Sequence, residues 1–225
     1  MVEFQSNGTT GQGYLAVPAS GSGPGVVVIQ EWWGLNPQIK EVCDRFAEEG
    51  FVGFAPDLYR GKATTMEDEA GQMMMSLNIE QAAKDMAGAV DFLKRHDAVT
   101  GSGVGVTGFC MGGGLALWLA TLRPDDVKAV VPYYGVIPWP AAQPDYSKLK
   151  SPVQGHYAEN DDFANPETVR KLEEELKGHG ARVEFFVYPG VGHAFTNHHR
   201  PEVFHEEHSR VAWERTVAFF RENLR

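Results

Sequence analysis

Cys110 lies in Gly108-Phe109-Cys110-Met111-Gly112, a G-x-C-x-G arrangement. In that pattern a nucleophile sits at the tip of a sharp strand-to-helix turn, and the small residues two before and two after it let the turn close without side-chain collision. The flanks agree. Val104–Thr107 reads as a strand and the apolar run GGLALWLATL as a helix. A nucleophilic thiol needs a base, and the base needs an acid to orient it. Downstream, the strand-like Val153–Tyr157 runs into Ala158-Glu159-Asn160-Asp161-Asp162-Phe163, a loop rich in carboxylates. The strand-like Val183–Tyr188 runs into Pro189-Gly190-Val191-Gly192-His193-Ala194-Phe195. The order nucleophile, acid, histidine along the chain matches that pattern, and ligands of such sheets bind at the carboxyl ends of the strands. Spacing alone leaves Glu159, Asp161 and Asp162 competing for the role of the acid.

Two other constellations are weaker. Gly103-Val104-Gly105-Val106-Thr107-Gly108 matches the dinucleotide fingerprint G-x-G-x-x-G, with Asp125 downstream. That loop must follow a strand, whereas these glycines lie within one, so no nucleotide cofactor is expected. His198, His199, His205 and His208 fit no zinc-ligand spacing and sit in a polar segment. They read as a solvated face, and no metal is expected.

The elements that must position these groups alternate along the chain. Val26–Gln30 is a buried-type strand, and Asn36-Pro37 opens a helix carrying Ile39, Val42, Cys43 and Phe46 at helical spacing. Cys43 falls on its apolar stripe as a core residue. Strand Phe51–Ala55 follows, and residues 57–78 form an irregular, Met-rich segment suited to a short helix or a lid. A long amphipathic helix begins near Ile79. Val127–Tyr133 is a strand, Pro166–Lys177 a helix, and residues 206–224 a final helix. The first 17 residues, broken by glycines, suit an antiparallel edge hairpin. Repeated β-α units imply an α/β fold, with a mostly parallel central sheet covered by helices on both faces. No composition break divides the chain, so 1–225 reads as one domain.

Composition excludes several functions. A formal net charge of −10 argues against binding a phosphate backbone, so no nucleic-acid partner is expected. No apolar run reaches membrane-spanning length, and MVEFQSNGTTGQGYL has neither an apolar nor a basic signal region. Two cysteines make no disulfide framework. The expectation is a cytoplasmic protein with a free Cys110 thiol and a small-molecule substrate, with a monomer as the default oligomeric state.

Taken together, the chain resembles the dienelactone hydrolase (carboxymethylenebutenolidase) family of α/β-hydrolases. The matching stretches are Gln30-Glu31-Trp32-Trp33-Gly34, Ala55-Pro56-Asp57-Leu58-Tyr59, Gly108-Phe109-Cys110-Met111-Gly112-Gly113, Tyr133-Tyr134-Gly135 and Gly192-His193-Ala194-Phe195, in family order. The resemblance implies an α/β-hydrolase fold, a Cys-Asp-His triad and hydrolysis of small esters or lactones through an acyl-enzyme thioester. It selects Asp161, because the family's acid loop has the form small-x-x-Asp, with Asp162 as fallback; Ala158 stands where glycine is usual. It implies that Glu31 hydrogen-bonds the resting thiol, and the fold's general pattern supplies the backbone N–H groups of Trp32 and Met111 as an oxyanion hole. Trp33, Tyr59, Tyr134 and Phe163 are candidate substrate-pocket residues among several aromatics that serve equally well as core.

The chain departs from the family at the substrate end. Relatives acting on dienelactone carry arginines for its carboxylate. Residues 61–78 contain none, and the fourth residue after His193 is Asn197. Arg60 and Arg200 are near in sequence. With the Met-rich segment, this predicts a preference for neutral small substrates. A general carboxylesterase or thioesterase is the alternative within enzymes, and a non-catalytic binding protein the alternative outside them.

Overall fold

A computed structural model describes residues 1–6 and 8–224; Asn7, within the expected hairpin, and Arg225 lie outside the described residues. One sheet carries eight strands: β1 (Val2–Ser6), β2 (Thr9–Ala16), β3 (Gly23–Ile29), β4 (Val52–Pro56), β5 (Val99–Phe109), β6 (Val127–Tyr133), β7 (Val153–Asn160) and β8 (Val183–Gly192). Their order is β1-β2-β4-β3-β5-β6-β7-β8. β1 and β2 form the antiparallel edge, and β4 to β8 run parallel through β3. The helices are α1 (Pro37–Glu48), α2 (Glu67–Met75), α3 (Ile79–Arg95), α4 (Met111–Leu122), α5 (Pro166–Gly178) and α6 (Glu206–Asn223).

Period-two alternation on the buried strands sets the two layers. On β3, Val27 and Ile29 pack with Met86, Val90 and Leu93 of α3 and with Leu115 of α4. Val26 and Val28 face the other way, onto Ile39, Val42 and Phe46 of α1 and Phe220 of α6. Both faces are therefore apolar, as a parallel sheet sandwiched between helices requires. Asn36 and Asn165 cap α1 and α5 through their side-chain oxygens, each with proline at the first helical turn.

The glycines that mimicked a dinucleotide loop lie inside β5. That strand is longer than its apolar centre predicts. Its amino-terminal half pairs Val99 and Thr100 with Gly23 and Pro24, then shifts register before Val104 pairs with Gly25. The irregular segment contains α2, and its Asp57 carboxylate accepts from the N–H groups of Tyr59 (3.0 Å) and Gly61 (2.6 Å). Asp57 thus holds the turn after β4. Among the described residues, no helix is long and apolar enough to cross a membrane.

Candidate active site

The turn from β5 to α4 is built by backbone contact. A Cβ on Gly108 would lie 2.0 Å from the Gly112 carbonyl oxygen, and one on Gly112 would lie 2.4 Å from that of Gln30. No larger residue fits at either place. Cys110 occupies the apex at φ 56°, ψ −123°, a region sparsely populated by residues with a Cβ and costing on the order of 1–3 kcal/mol. Neighbouring strands hold it there: the Cys110 N–H donates to the Tyr133 carbonyl at 3.0 Å, and the Cys110 carbonyl accepts from Gly113 at 3.0 Å. Ala194 (φ 62°) and Tyr134 (φ 38°) are also left-handed, so strained backbone collects around one spot.

Sheet register brings the acid and the histidine to that spot. Asn160 of β7 and Gly192 of β8 are register partners. The next residue on each strand is Asp161 and His193, and their side chains meet, His193 Nδ1 to Asp161 Oδ2, at 2.7 Å. The other oxygen, Oδ1, accepts from the N–H groups of Phe163 (2.8 Å) and Ala164 (2.9 Å). Asp161 is thereby buried and fully engaged, while Asp162 is exposed and Glu159 turns away to accept from the Gly190 N–H at 2.8 Å. Burial alone would depress the His193 pKa. The bond to the Asp161 carboxylate and the nearness of the Cys110 side chain outweigh that and lift it to about 10. An imidazole held between a thiol and a buried carboxylate can take the thiol's proton and keep it.

Glu31 follows the buried end of β3, 1% exposed. Its carboxylate accepts from Asn197 Nδ2 at 3.1 Å and from the Tyr134 hydroxyl at 3.4 Å. Burial pushes its pKa above the usual carboxylate range, and the charge of His193, the Asn197 bond, the charge of Arg200 and the Tyr134 bond offset only part of that. A cavity of about 140 Å³ opens above these groups. Cys110, His193 and Glu31 form its floor; Trp32, Trp33, Met74, Phe163, Ala194 and Arg200 form its walls.

Of the four aromatics expected to line a pocket, Trp33 and Phe163 do so, and the Phe163 ring stands 5.4 Å from that of His193. Tyr134 and Tyr59 do not reach the cavity surface. Tyr134 is fully buried behind His193, its hydroxyl 2.8 Å from Thr196 Oγ1, and Tyr59 points its hydroxyl at Met111 Sδ at 3.4 Å. Their side chains face the core side of the strand ends, which a sequence cannot reveal without the register. Arg60 is likewise drawn away, its guanidinium bonded to Asp85 at 2.7 and 2.9 Å. Arg200, however, reaches the cavity wall, 5.6 Å from the Trp33 ring and paired with Glu202 at 2.8 Å and Glu67 at 3.8 Å. Arg200 thus lines the cavity three residues beyond Asn197. Of the Met-rich segment expected near the pocket, Met74 lines the cavity, whereas sequence reading missed Thr196 and the role of Asn197. Only Asn197 carried a signal, as the neutral residue where an arginine was expected.

The histidines read as a solvated face separate into two groups. His205 caps α6 and stacks on His208, with ring centroids 4.3 Å apart. His198 and His199 instead converge on Glu41 of α1, at 2.8 and 2.9 Å.

With this geometry in place, the comparisons are decisive. Residues 12–224 match the sequence profile of the dienelactone hydrolase family. This chain belongs to the dienelactone hydrolase family. It is similar to "Protein usf" of Aquifex pyrophilus, 43% identical over all of this chain and 98% of that one. It is 37% identical to the "Putative carboxymethylenebutenolidase" of Aquifex aeolicus, over all of this chain and 99% of that one. Among solved structures, the "Putative Dienelactone Hydrolase" from Klebsiella pneumoniae superposes with a TM-score of 0.87 at 29% identity, covering 98% of this chain and 97% of that one. The fold is the α/β-hydrolase fold, and the family is one of hydrolases.

Proposed function

We propose that this dienelactone hydrolase family member cleaves small carboxylic esters or lactones with Cys110 as nucleophile. One observation carries the reading: the His193 imidazole, bonded to the buried Asp161 carboxylate at 2.7 Å, and the strained Cys110 thiol line one cavity. Cys110 passes its proton to His193 and its sulfur attacks the substrate carbonyl carbon. The N–H groups of Trp32 and Met111 receive the resulting oxyanion. Met111 opens α4, so its N–H has no acceptor within the helix. The tetrahedral adduct collapses, re-forming the carbonyl and breaking the bond between the acyl carbon and the ester oxygen, and the leaving alcohol takes the proton from His193. A thioester remains. His193 then removes a proton from water, the hydroxide attacks the thioester, and Cys110 leaves as thiolate and recovers the proton. Glu31 lines the same cavity as the thiol, but its carboxylate is bonded to Asn197 and Tyr134 rather than to Cys110, and its role toward the nucleophile is to take up or release a proton there during turnover.

The cavity supports a small substrate, and Arg200 at its wall supports one bearing a carboxylate. Against the neutral preference expected from the missing arginines, Arg200 supports a lactone or ester with an anionic group, held there by charge-assisted hydrogen bonds. The Glu67 contact that such a group would displace is long and solvent-exposed. One sheet carrying all the described strands and two free thiols support a single-domain enzyme of a reducing compartment.

The test is a hydrolysis screen over small lactones, p-nitrophenyl esters and thioesters with wild type, Cys110→Ala and Arg200→Ala. Lactones and esters should be cleaved by wild type and left intact by Cys110→Ala. Arg200→Ala should raise KM for an anionic lactone about tenfold or more, as expected for a lost charged hydrogen bond, and leave a neutral ester of the same size unaffected. Full activity in Cys110→Ala would refute the nucleophile, and equal losses on both substrates would refute the role of Arg200.

A further inference from the structure

Outside the cavity, the described residues bring three metal-ligating side chains from distant parts of the sequence to one point. Glu41 lies on α1, and His198 and His199 lie in the turn beyond His193. Their ligand atoms all fall within 4.8 Å of one another. Adjacent residues of an extended chain point to opposite sides, but these two do not. The Asn197 side-chain oxygen accepts from the His199 N–H at 3.1 Å, and the Arg200 N–H donates to the Asn197 carbonyl at 3.0 Å. This tight turn swings both rings to the same side, edge to face with centroids 4.6 Å apart.

Both Nε2 atoms converge on the same carboxylate oxygen, Glu41 Oε2, at 2.8 and 2.9 Å. Two donors satisfying a carboxylate need not share one oxygen. Three ligand atoms disposed around a common ion must draw together. For a tetrahedral ion with bonds of about 2.0–2.1 Å, ligand atoms sit roughly 3.3 Å apart. Opening the two Glu41 contacts by roughly 0.4 Å, with the two Nε2 atoms, which lie within 4.8 Å of each other, settling at the same spacing, would admit the ion. All three side chains are about two-fifths exposed, so little packing resists that movement.

We propose that Glu41, His198 and His199 form a binding site for a divalent transition-metal ion of the zinc type. The two imidazole nitrogens and the carboxylate oxygen supply three ligands and leave a fourth position to water. The ion ties α1 to the turn that also presents Asn197 to Glu31 and Arg200 to the cavity, so it braces the wall of the active site without touching the reacting atoms.

The experiment is calorimetric titration of the full chain with zinc chloride alone, after chelator treatment, in the Cys110→Ala background. That background removes the one thiol beside a histidine that would bind zinc for unrelated reasons. One ion per chain is expected, with a melting temperature that rises by several degrees once zinc stands well above its Kd. His198→Ala, His199→Ala and Glu41→Gln should each weaken binding by about tenfold or more, since loss even of an outer partner of a ligand costs that much. His205→Ala/His208→Ala should bind normally. All five positions are exposed or half-buried, so the variants fold. Absence of a one-to-one site, or a site that survives His198→Ala/His199→Ala, overturns the proposal. A site lost only in His205→Ala/His208→Ala overturns it equally.

Discussion

Asp161→Asn isolates the orienting step, and the structure dictates its size. Asp161 Oδ1 is committed to two backbone N–H donors, at 2.8 and 2.9 Å. The asparagine carbonyl oxygen must take that position, because an amide nitrogen there would face two donors. Its NH2 group is then forced onto His193 Nδ1, where the carboxylate oxygen lay 2.7 Å away. An amide donor at Nδ1 demands an unprotonated Nδ1, so the ring proton moves to Nε2, the side facing Cys110. The base is then in the wrong tautomer to accept from the thiol. In triads, that inversion costs on the order of 10⁴ in kcat, or about 5.4 kcal/mol of barrier. Loss of the carboxylate's bond and charge also lets burial pull the His193 pKa down from about 10. Steady-state hydrolysis should fall about 10⁴-fold, and a proton NMR titration of the imidazole should show the lowered pKa. Asp162→Asn, at an exposed position, should be nearly wild type. Asp161→Asn retaining activity within tenfold of wild type, or Asp162→Asn suffering the greater loss, would refute the reasoning.

Iodoacetamide should label Cys110 in step with inactivation and leave Cys43 intact, since Cys43 is fully buried and burial holds its thiol well above the ordinary range; peptide mass mapping reads the outcome. The folded His193 pKa of about 10 lies above its ordinary 6.5, so protonation stabilises the fold. That contribution is complete below about pH 6.5 and lost as pH rises through 10. Urea midpoints of wild type and Asp161→Asn should accordingly converge on the alkaline side. For Glu31 the sign is opposite to a paired surface carboxylate: burial raises its pKa, so ionising it costs stability as pH climbs past its ordinary 4.5. Glu31→Gln should gain stability relative to wild type over that range and change the pH profile of Cys110 alkylation, and an unchanged profile would reduce Glu31 to scaffold. Asp85, 1% exposed, accepts from Ser6, Arg60 and Gln81. Asp85→Ala should cost roughly 2–3 kcal/mol in denaturant unfolding by stranding those donors, with kcat unchanged because none of these residues lines the cavity.

Much of this protein was legible in the order of its residues, because the relevant signals are local. Asn-Pro pairs cap α1 and α5 through contacts three residues long. The strand cores are short β-branched runs, and the G-x-C-x-G spacing states how tightly the elbow must close. The acid was another matter. Spacing alone left Glu159, Asp161 and Asp162 open and the family resemblance pointed to Asp161; the pairing of Asn160 with Gly192 supplies the physical reason, setting Asp161 against His193 and leaving the others aside. The cavity walls were equally hidden. Whether Tyr59, Tyr134, Arg60 or Arg200 faces the cavity depends on strand register and on partners remote in sequence, such as Asp85 for Arg60 and Thr196 for Tyr134. Likewise, no ligand spacing joins Glu41 to His198 and His199, because α1 and the turn after β8 meet only once the sheet has folded. Sequence by itself determined which segments become strands and helices and which thiol sits at a strained turn, since those follow from contacts within a few residues. Tertiary structure alone decided which side chains share that turn's surroundings, since distances between strand ends are set by the register of the whole sheet.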